Sequence, residues 1–228
     1  LYDAAGKEAS WILDDYQDNR YMRPPFGYFQ AWPDSEWFSR GGISIQPNLL
    51  AGLLPYLERD EPELYLWMFF NAWAACYRED IGAMVEHPLP VLGYSNSAPL
   101  KTSDQANAIK WLRYLFVYAT SSRLYLGRAL PRAWFRDGEK MAAEEVHTRF
   151  GVVSIRYVSE AAASRLTARV DLALRSVPDE ILLRFRTPNR EPLRAVTVNG
   201  KPHKRFDAGR GDVDLTGMSG GLEVCIQM

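Results

Sequence analysis

The sequence predicts an α+β multidomain protein in which an α-helical segment precedes an antiparallel β-sandwich. Apolar residues recur at helical spacing up to about residue 122 and then alternate with a period of two. Residues 1–122 carry 15 acidic and 9 basic side chains, whereas residues 123–228 carry 13 acidic and 18 basic ones, so the net charge changes from −6 to +5. Six of the seven tryptophans precede residue 112. We therefore predict two domains, 1–122 and 123–228.

Four helices are predicted in the first domain. Pro47 suits a first helical turn and begins the second helix. Asp60 and Glu63 have the spacing of a capping box at the start of the third, which is apolar nearly all round and is therefore expected to be buried. Thr102 and Gln105 have the same spacing at the start of the fourth. The predicted helices cover about residues 3–17, 47–57, 60–77 and 102–119.

The connections between these helices differ in length. Two or three residues around Arg59 join the second and third helices, which predicts an antiparallel hairpin. The other two connections, about 18–46 and 79–101, are long, and loops of this length are usually functional. If the chain reverses at each connection, both long loops lie at the same end of the bundle. We expect a binding site there.

In the second domain polar and apolar residues alternate, as in a sheet with one solvent-exposed face. Arg165, Thr167, Arg169 and Asp171 alternate with apolar residues, and Asn199-Gly200 is a strong hairpin signal. Strands at this spacing, with turn residues between them, predict an antiparallel sandwich. The predicted strands cover about residues 124–126, 151–158, 164–174, 180–186, 195–198 and 222–227.

The first long loop interleaves aromatic residues with amide and carboxylate residues. Aromatic rings stack on the C–H faces of sugar rings, while amides and carboxylates bond to hydroxyl groups. The other interpretation is that the aromatic residues fix the loop to the helices beneath it. The candidate sugar-binding residues of this loop are Gln30, Trp32, Asp34, Glu36, Trp37 and Gln46.

The second long loop contains the best candidate for a catalytic group. Glu86 follows apolar residues, and desolvation raises the pKa of a carboxyl group so that it can act as a general acid. His87 could orient Glu86 or bind substrate, and Tyr94 and Asn96 are candidate substrate-binding residues. The alternative is that Glu86 accepts backbone hydrogen bonds within the loop. Asp104 is better explained as part of a helix start.

Several classes of site lack their sequence signals. The three histidines do not stand at ligand spacing, no Cys-x-x-Cys occurs, and phosphate-loop and serine-nucleophile motifs are absent, so no metal or cofactor is predicted. The basic residues of the second domain alternate along strands, which favours a solvated face over a nucleic-acid site. No apolar run approaches the roughly 18 residues of a membrane span. We therefore expect neither nucleic-acid nor membrane partners.

Two stretches resemble the C-terminal part of glycoside hydrolases built on an (α/α)6 toroid with a C-terminal β-sandwich domain. They are GYFQAWPDSEWFSRGGISIQPNLLAGLLPYLERDEPELYLWMFFNAWA and RAVTVNGKPHKRFD. The resemblance implies that residues 1–122 are the last helices of a toroid. It also implies hydrolysis of a neutral carbohydrate by general acid and base carboxylates, with loops at one end of the toroid forming the sugar pocket.

A complete toroid has six helical pairs, whereas four helices are predicted here. We expect the remaining helices, and a second catalytic carboxylate, in an N-terminal part of the same protein or in a partner chain, with Asp34 and Glu36 as weaker candidates. The start at Leu1 agrees with a mature or partial chain. We favour a periplasmic or secreted location, although Cys76 and Cys225 do not fix a compartment.

Two other functions stay open at the level of sequence. One is a non-catalytic carbohydrate-binding or structural module, whose aromatic loops hold a glycan without cleaving it. The other is a polysaccharide lyase, which needs a tyrosine or histidine base and basic residues facing uronate carboxylates. The net charge of −6 in residues 1–122 argues against an anionic substrate.

Overall fold

The structure, a computed structural model, describes residues 3–15, 53–84, 88–89, 94–95 and 102–228. The chain forms two compact units, Leu1–Trp111 and Leu112–Met228, which are described separately below. Within the described ranges the chain has four α-helices and two larger, mostly antiparallel sheets. The predicted succession of helices and then strands is therefore present, whereas the toroid and the sandwich stay predictions.

The first, third and fourth helices lie within their predicted ranges, whereas the second is described only from Leu54, since its predicted start at Pro47 lies outside the described residues. The turn between the second and third is short, as predicted, but Asp60 does not cap the third helix. Asp60 adopts a left-handed φ of 61° in this turn, and Glu61 takes the N-cap position without a side-chain capping bond. The helices are α1 (Lys7–Asp15), α2 (Leu54–Glu58), α3 (Pro62–Cys76) and α4 (Thr102–Phe116).

The first unit also contains two small antiparallel ladders between α3 and α4. In one, β1 (Tyr77–Arg78) pairs with β2 (Ala83–Met84). In the other, β3 (Pro88–Leu89) pairs with β4 (Tyr94–Ser95). Tyr65 is buried in α3, and its hydroxyl donates a hydrogen bond to the carbonyl oxygen of Trp111 at 2.7 Å. This bond fixes α3 to α4 inside the unit.

The second unit contains a five-stranded sheet that begins directly after α4. The predicted fourth helix ends three residues early, at Phe116, because residues 117–119 pair with 124–126 instead of continuing the helix. Residues 180–183 pair with 123–126 in parallel, and the other pairings of this sheet are antiparallel. In spatial order the strands are β13 (Phe206–Asp207), β14 (Asp212–Asp214), β10 (Glu180–Arg184), β6 (Arg123–Leu126) and β5 (Val117–Ala119).

A six-stranded sheet, antiparallel throughout, forms the rest of the second unit. The hairpin predicted at Asn199-Gly200 is confirmed, since Val198 pairs with Lys201 and both turn residues have positive φ. In spatial order the strands are β12 (Lys201–Pro202), β11 (Ala195–Val198), β15 (Gly220–Gln227), β9 (Arg165–Leu174), β8 (Gly151–Glu160) and β7 (Lys140–Thr148).

Buried aromatic and polar contacts join the two sheets of the second unit. Tyr157 of β8 lies edge-to-face with Phe135 and with Phe185, at centroid distances of 5.3 and 5.6 Å. Its hydroxyl donates to the carbonyl oxygen of Arg184 in β10 at 3.0 Å. Arg184 in turn makes a buried two-bond pair with Asp212 of β14, at 2.7 and 2.5 Å. The core of this unit therefore contains a satisfied polar network.

Candidate functional sites

The sequence-predicted site falls almost entirely outside the described residues. Tyr94 is described by its backbone alone, which pairs with Leu89 in the β3–β4 ladder. The roles assigned to this set, and the expected proximity of its members, therefore stay predictions. The predicted site residues outside the described ranges are Gln30, Trp32, Asp34, Glu36, Trp37, Gln46, Glu86, His87 and Asn96.

Aromatic residues form a row along α3 in the first unit. Phe69 contacts Phe70 and Trp73 at centroid distances of 5.1 and 5.7 Å, and Trp73 stacks on Tyr77 at 5.7 Å. The prediction that this helix is buried is only half right, since Trp67 and Phe70 are 48% and 47% exposed. Residues three apart share a helix face, so these two rings present an exposed aromatic surface.

An open groove of about 630 Å³ lies on the outward face of the six-stranded sheet in the second unit. Its floor follows one row of paired residues across three strands: Val158 pairs with Thr167, and Thr167 pairs with Cys225. The Thr167 hydroxyl donates to the Cys225 sulfur at 3.7 Å. Short side chains along this row leave the groove between longer ones on either side.

One wall of the groove is the row of Arg156, Arg169 and Glu223. Arg156 is paired directly with Arg169 in the register, and like charges in such positions repel. Each guanidinium binds a carboxylate on its other side. Arg169 Nε lies 2.9 Å from a Glu223 oxygen, and Arg156 pairs with Glu144 of β7. The two ion pairs relieve the repulsion and hold the arginines at the rim.

The opposite wall is the cross-strand pair of Glu160 and Arg165. Two hydrogen bonds of 2.7 Å join the guanidinium of Arg165 to both oxygens of Glu160. These bonds hold the pKa of Glu160 below its usual value, and Glu160 raises the pKa of Arg165 in return. Both groups are exposed to solvent, so the pair has little effect on stability and its atoms remain open to a ligand.

The groove offers binding groups but no pair of groups suited to proton transfer. Its guanidinium groups donate hydrogen bonds, its carboxylates accept them, and each carboxylate is already paired with an arginine. Tyr157 reaches the groove only from the core side and is 1% exposed. Burial, and to a lesser degree the charge of Asp212, raises the pKa of Tyr157 well above its usual value. We therefore consider the groove a binding surface.

The alternation from Arg165 to Asp171 predicted the wet face that carries this groove. The groove itself depends on residues from four strands, which come together only once the pairing register is known. Within the described part of the chain, no group of three or more His, Cys, Asp or Glu side chains could hold a metal ion. None of the helices in the same part of the chain has the length and apolar character needed to cross a membrane.

Comparison with known proteins gives structural neighbours alone. No protein-family profile matches the chain, and no curated protein does. One solved structure described as a glycoside hydrolase is similar over 80% of this chain and 32% of its own, with 12% identity and a TM-score of 0.38. A GH127 beta-arabinofuranosidase is similar over 78% of this chain and 31% of its own, with 11% identity and a TM-score of 0.39. The chain spans about a third of the length of either structure.

Proposed function

We propose that this chain is the C-terminal portion of a carbohydrate-active enzyme, a glycoside hydrolase that acts on a neutral oligo- or polysaccharide. In this proposal residues 1–122 are the last helices of an (α/α)6 toroid, and residues 123–228 form a C-terminal antiparallel β-sandwich. The resemblance of the loop and hairpin sequences supports it. The described helices add one structural observation, which concerns their exposed apolar side chains.

Large apolar side chains remain exposed on the described helices. Trp11 and Ile12 of α1 are 59% and 53% exposed, Ile109 of α4 is 67% exposed, and Trp67 and Phe70 of α3 are about half exposed. Trp67 and Phe70 share one face of α3, and a contiguous exposed apolar patch of this kind marks a surface that binds another element or a ligand. Further helices of a toroid would cover such faces. This observation carries the proposal that the helical segment is part of a larger domain.

The proposed catalytic acid is Glu86, oriented by His87. The β3–β4 ladder lies immediately after these two residues in the chain, and Asn96 immediately follows the strand of Tyr94. A backbone ladder at this position would limit the loop conformations and so favour a fixed carboxyl group. Gln30, Trp32, Asp34, Glu36, Trp37, Gln46, Tyr94 and Asn96 would then bind the sugar. A glycosidase needs a second carboxylate at a set separation, so the partner is expected from Asp34, Glu36 or a preceding part of the protein.

Turnover of synthetic glycosides by the longest encoded form of the protein tests this proposal. The substrates are aryl pyranosides and aryl furanosides of neutral sugars, followed by neutral oligosaccharides. Glu86→Gln should lower kcat at least about a hundredfold while sugar binding is retained, because a general acid contributes about 10²–10⁴-fold. Glu79→Gln, at an exposed turn position in the same connection, is the matched control and should retain activity.

The possible outcomes separate the three functions. Equal activity of both variants would remove Glu86 from the mechanism. Binding of glycans without turnover by the intact protein would favour a non-catalytic module. Cleavage of uronate polymers with release of unsaturated products would favour a lyase. The paired arginines and carboxylates of the groove are the observation that keeps the binding module as the second candidate.

A further inference from the structure

The groove on the six-stranded sheet has the dimensions of an extended binding site. Its walls at Arg165 and Arg169 are four residues apart on β9, which separates their Cα atoms by about 13 Å. Its length covers the three strand intervals from β7 to β15, about 14 Å. The floor between the walls is made of short side chains that are all partly exposed, namely Val158, Thr167 and Cys225. Such a groove can hold a chain of rings, and it does not enclose a single small molecule.

The walls present hydrogen-bond donors and acceptors together. Arg165 lies beside Glu160 on one wall, and Arg169 lies beside Glu223 on the other. A polyanion would meet a carboxylate on each wall, and a polycation would meet a guanidinium on each wall. A hydroxyl group both donates and accepts hydrogen bonds, so it can bond to both members of a guanidinium–carboxylate pair. A charged group on the ligand would be repelled by one of the two. The three arginines of the lining are each paired with a carboxylate, and Lys140, opposite Val158 at one end of the floor, adds a further positive charge. Because most of the charges are balanced in pairs, the groove favours a polyhydroxylated ligand without a repeating charge.

The floor contributes the apolar part of the contact. The methyl groups of Val158 and Thr167 and the sulfur of Cys225 lie between the two polar walls. Ligand sites combine an apolar lining with a few placed polar groups, and the C–H face of a sugar ring matches such a floor. No aromatic ring is exposed among the residues that line this groove, so the dissociation constant should be in the millimolar range.

We propose that this groove is a non-catalytic binding site for a neutral oligosaccharide, separate from the proposed hydrolytic site. It would hold a glycan chain along the row of Val158, Thr167 and Cys225. The guanidinium and carboxylate groups of both walls would bond to its hydroxyls. The site does not depend on turnover, so it can be tested even if the chain proves to have no hydrolase activity.

Cys225 provides a reporter inside the groove. The chain has two cysteines, so a Cys76→Ser background leaves Cys225 as the single thiol. Its rate of labelling by a small maleimide is measured with the full chain in the presence of mixed-linkage β-glucan oligosaccharides, galactomannan oligosaccharides or polygalacturonate fragments. A neutral oligosaccharide at ten times its dissociation constant should slow labelling about tenfold, because the free fraction falls by that factor. Polygalacturonate fragments should not protect the thiol.

Variants of the walls and floor separate binding in the groove from binding elsewhere. Arg165→Gln with Glu223→Gln removes one charged partner from each wall, and Thr167→Trp fills the floor. Each should abolish protection, whereas the exposed Lys204→Gln control should retain it. Circular dichroism checks that the variants fold. No protection by any neutral oligosaccharide overturns the proposal, as does protection that survives both sets of variants. Protection by polygalacturonate alone overturns the neutral ligand class.

Discussion

Gly127 lies where an added methyl group would collide with the buried Tyr157 hydroxyl. A Cβ atom at this position would lie 2.0 Å from the Tyr157 oxygen and 2.9 Å from the Arg184 carbonyl oxygen. The glycine also has a φ of 69°, which residues with a side chain rarely adopt. Gly127→Ala therefore combines backbone strain, overpacking and the loss of the Tyr157 hydrogen bond to Arg184.

Each contribution has its own magnitude. The left-handed backbone costs about 1–2 kcal/mol for a residue with a Cβ. Overpacking a closed core costs about 1–3 kcal/mol, and leaving the Tyr157 hydroxyl buried without a partner costs about 1–3 kcal/mol. We expect Gly127→Ala to lower the free energy of unfolding of the second unit by roughly 3–8 kcal/mol. This is a large part of the usual stability of a domain, about 5–15 kcal/mol.

Gly138 provides the matched control. Its φ is 82°, and nothing lies within 4 Å of the position that a Cβ would take. Gly138→Ala should therefore show the backbone term alone, about 1–2 kcal/mol. Combining Gly127→Ala with Tyr157→Phe removes the oxygen that the methyl group meets, so the double variant should be more stable than the two single effects together would give.

Urea denaturation followed by circular dichroism measures the free energy of unfolding for all four variants. The slope against urea concentration should not change, which shows that the midpoint shifts report stability. If Gly127→Ala is no more destabilising than Gly138→Ala, the packing of Tyr157 against Gly127 and Arg184 is not as described. Strict additivity with Tyr157→Phe would contradict the predicted collision.

Two further predictions concern the same buried network. Burial raises the pKa of Tyr157, so the folded protein favours the neutral phenol. The stability that this preference contributes is complete below the usual tyrosine pKa of about 10 and is lost as the pH rises toward the folded-state value. Between about pH 8 and pH 11, urea titrations should therefore show a smaller loss of stability for Tyr157→Phe than for the unsubstituted protein. Asp212→Asn removes a buried carboxylate from Arg184 and should cost about 3–5 kcal/mol, whereas Glu223→Gln breaks an exposed pair and should cost under about 1 kcal/mol in the same assay.

The sequence predicts elements best where one physical cause dominates. Alternation places strands at 151–158 and 164–174, and the structure extends the first to Glu160 and begins the second at Arg165. The hairpin at Asn199-Gly200 follows from the positive φ that these residues tolerate. In both cases the signal is local and no competing contact opposes it.

Local signals fail where pairing decides the structure. The segment Lys140–Thr148 is rich in alanine and glutamate, which favour a helix, yet it pairs with β8 through a bulge between Ala143 and Val146. Backbone pairing with β8 therefore outweighs the helix propensity of this segment. Similarly, the capping-box spacing at Asp60 is overridden by the turn that joins α2 to α3.

Features that depend on distant residues could not be predicted. Arg184 and Asp212 are 28 positions apart in the chain, and neither lies in a recognisable motif. The groove needs four strands in register. Alternation within a single strand therefore predicted a solvent-exposed face of the sheet but not the groove on that face. The predicted loop residues lie outside the described ranges, and their roles continue to rest on residue type and sequence position.

The two units bury their apolar residues to different degrees. Of the described residues, those with large exposed apolar side chains lie mainly in Leu1–Trp111, including Trp11, Trp67 and Phe70. In Leu112–Met228 the aromatic residues Phe135, Tyr157 and Phe185 are fully buried between the two large sheets. A unit with a closed core can supply a fixed surface for weak binding, whereas adjacent exposed tryptophan and phenylalanine rings on a helix mark a surface that a partner or ligand can cover. This contrast supports placing the proposed chemistry in the helical unit and the proposed glycan groove on the sheet.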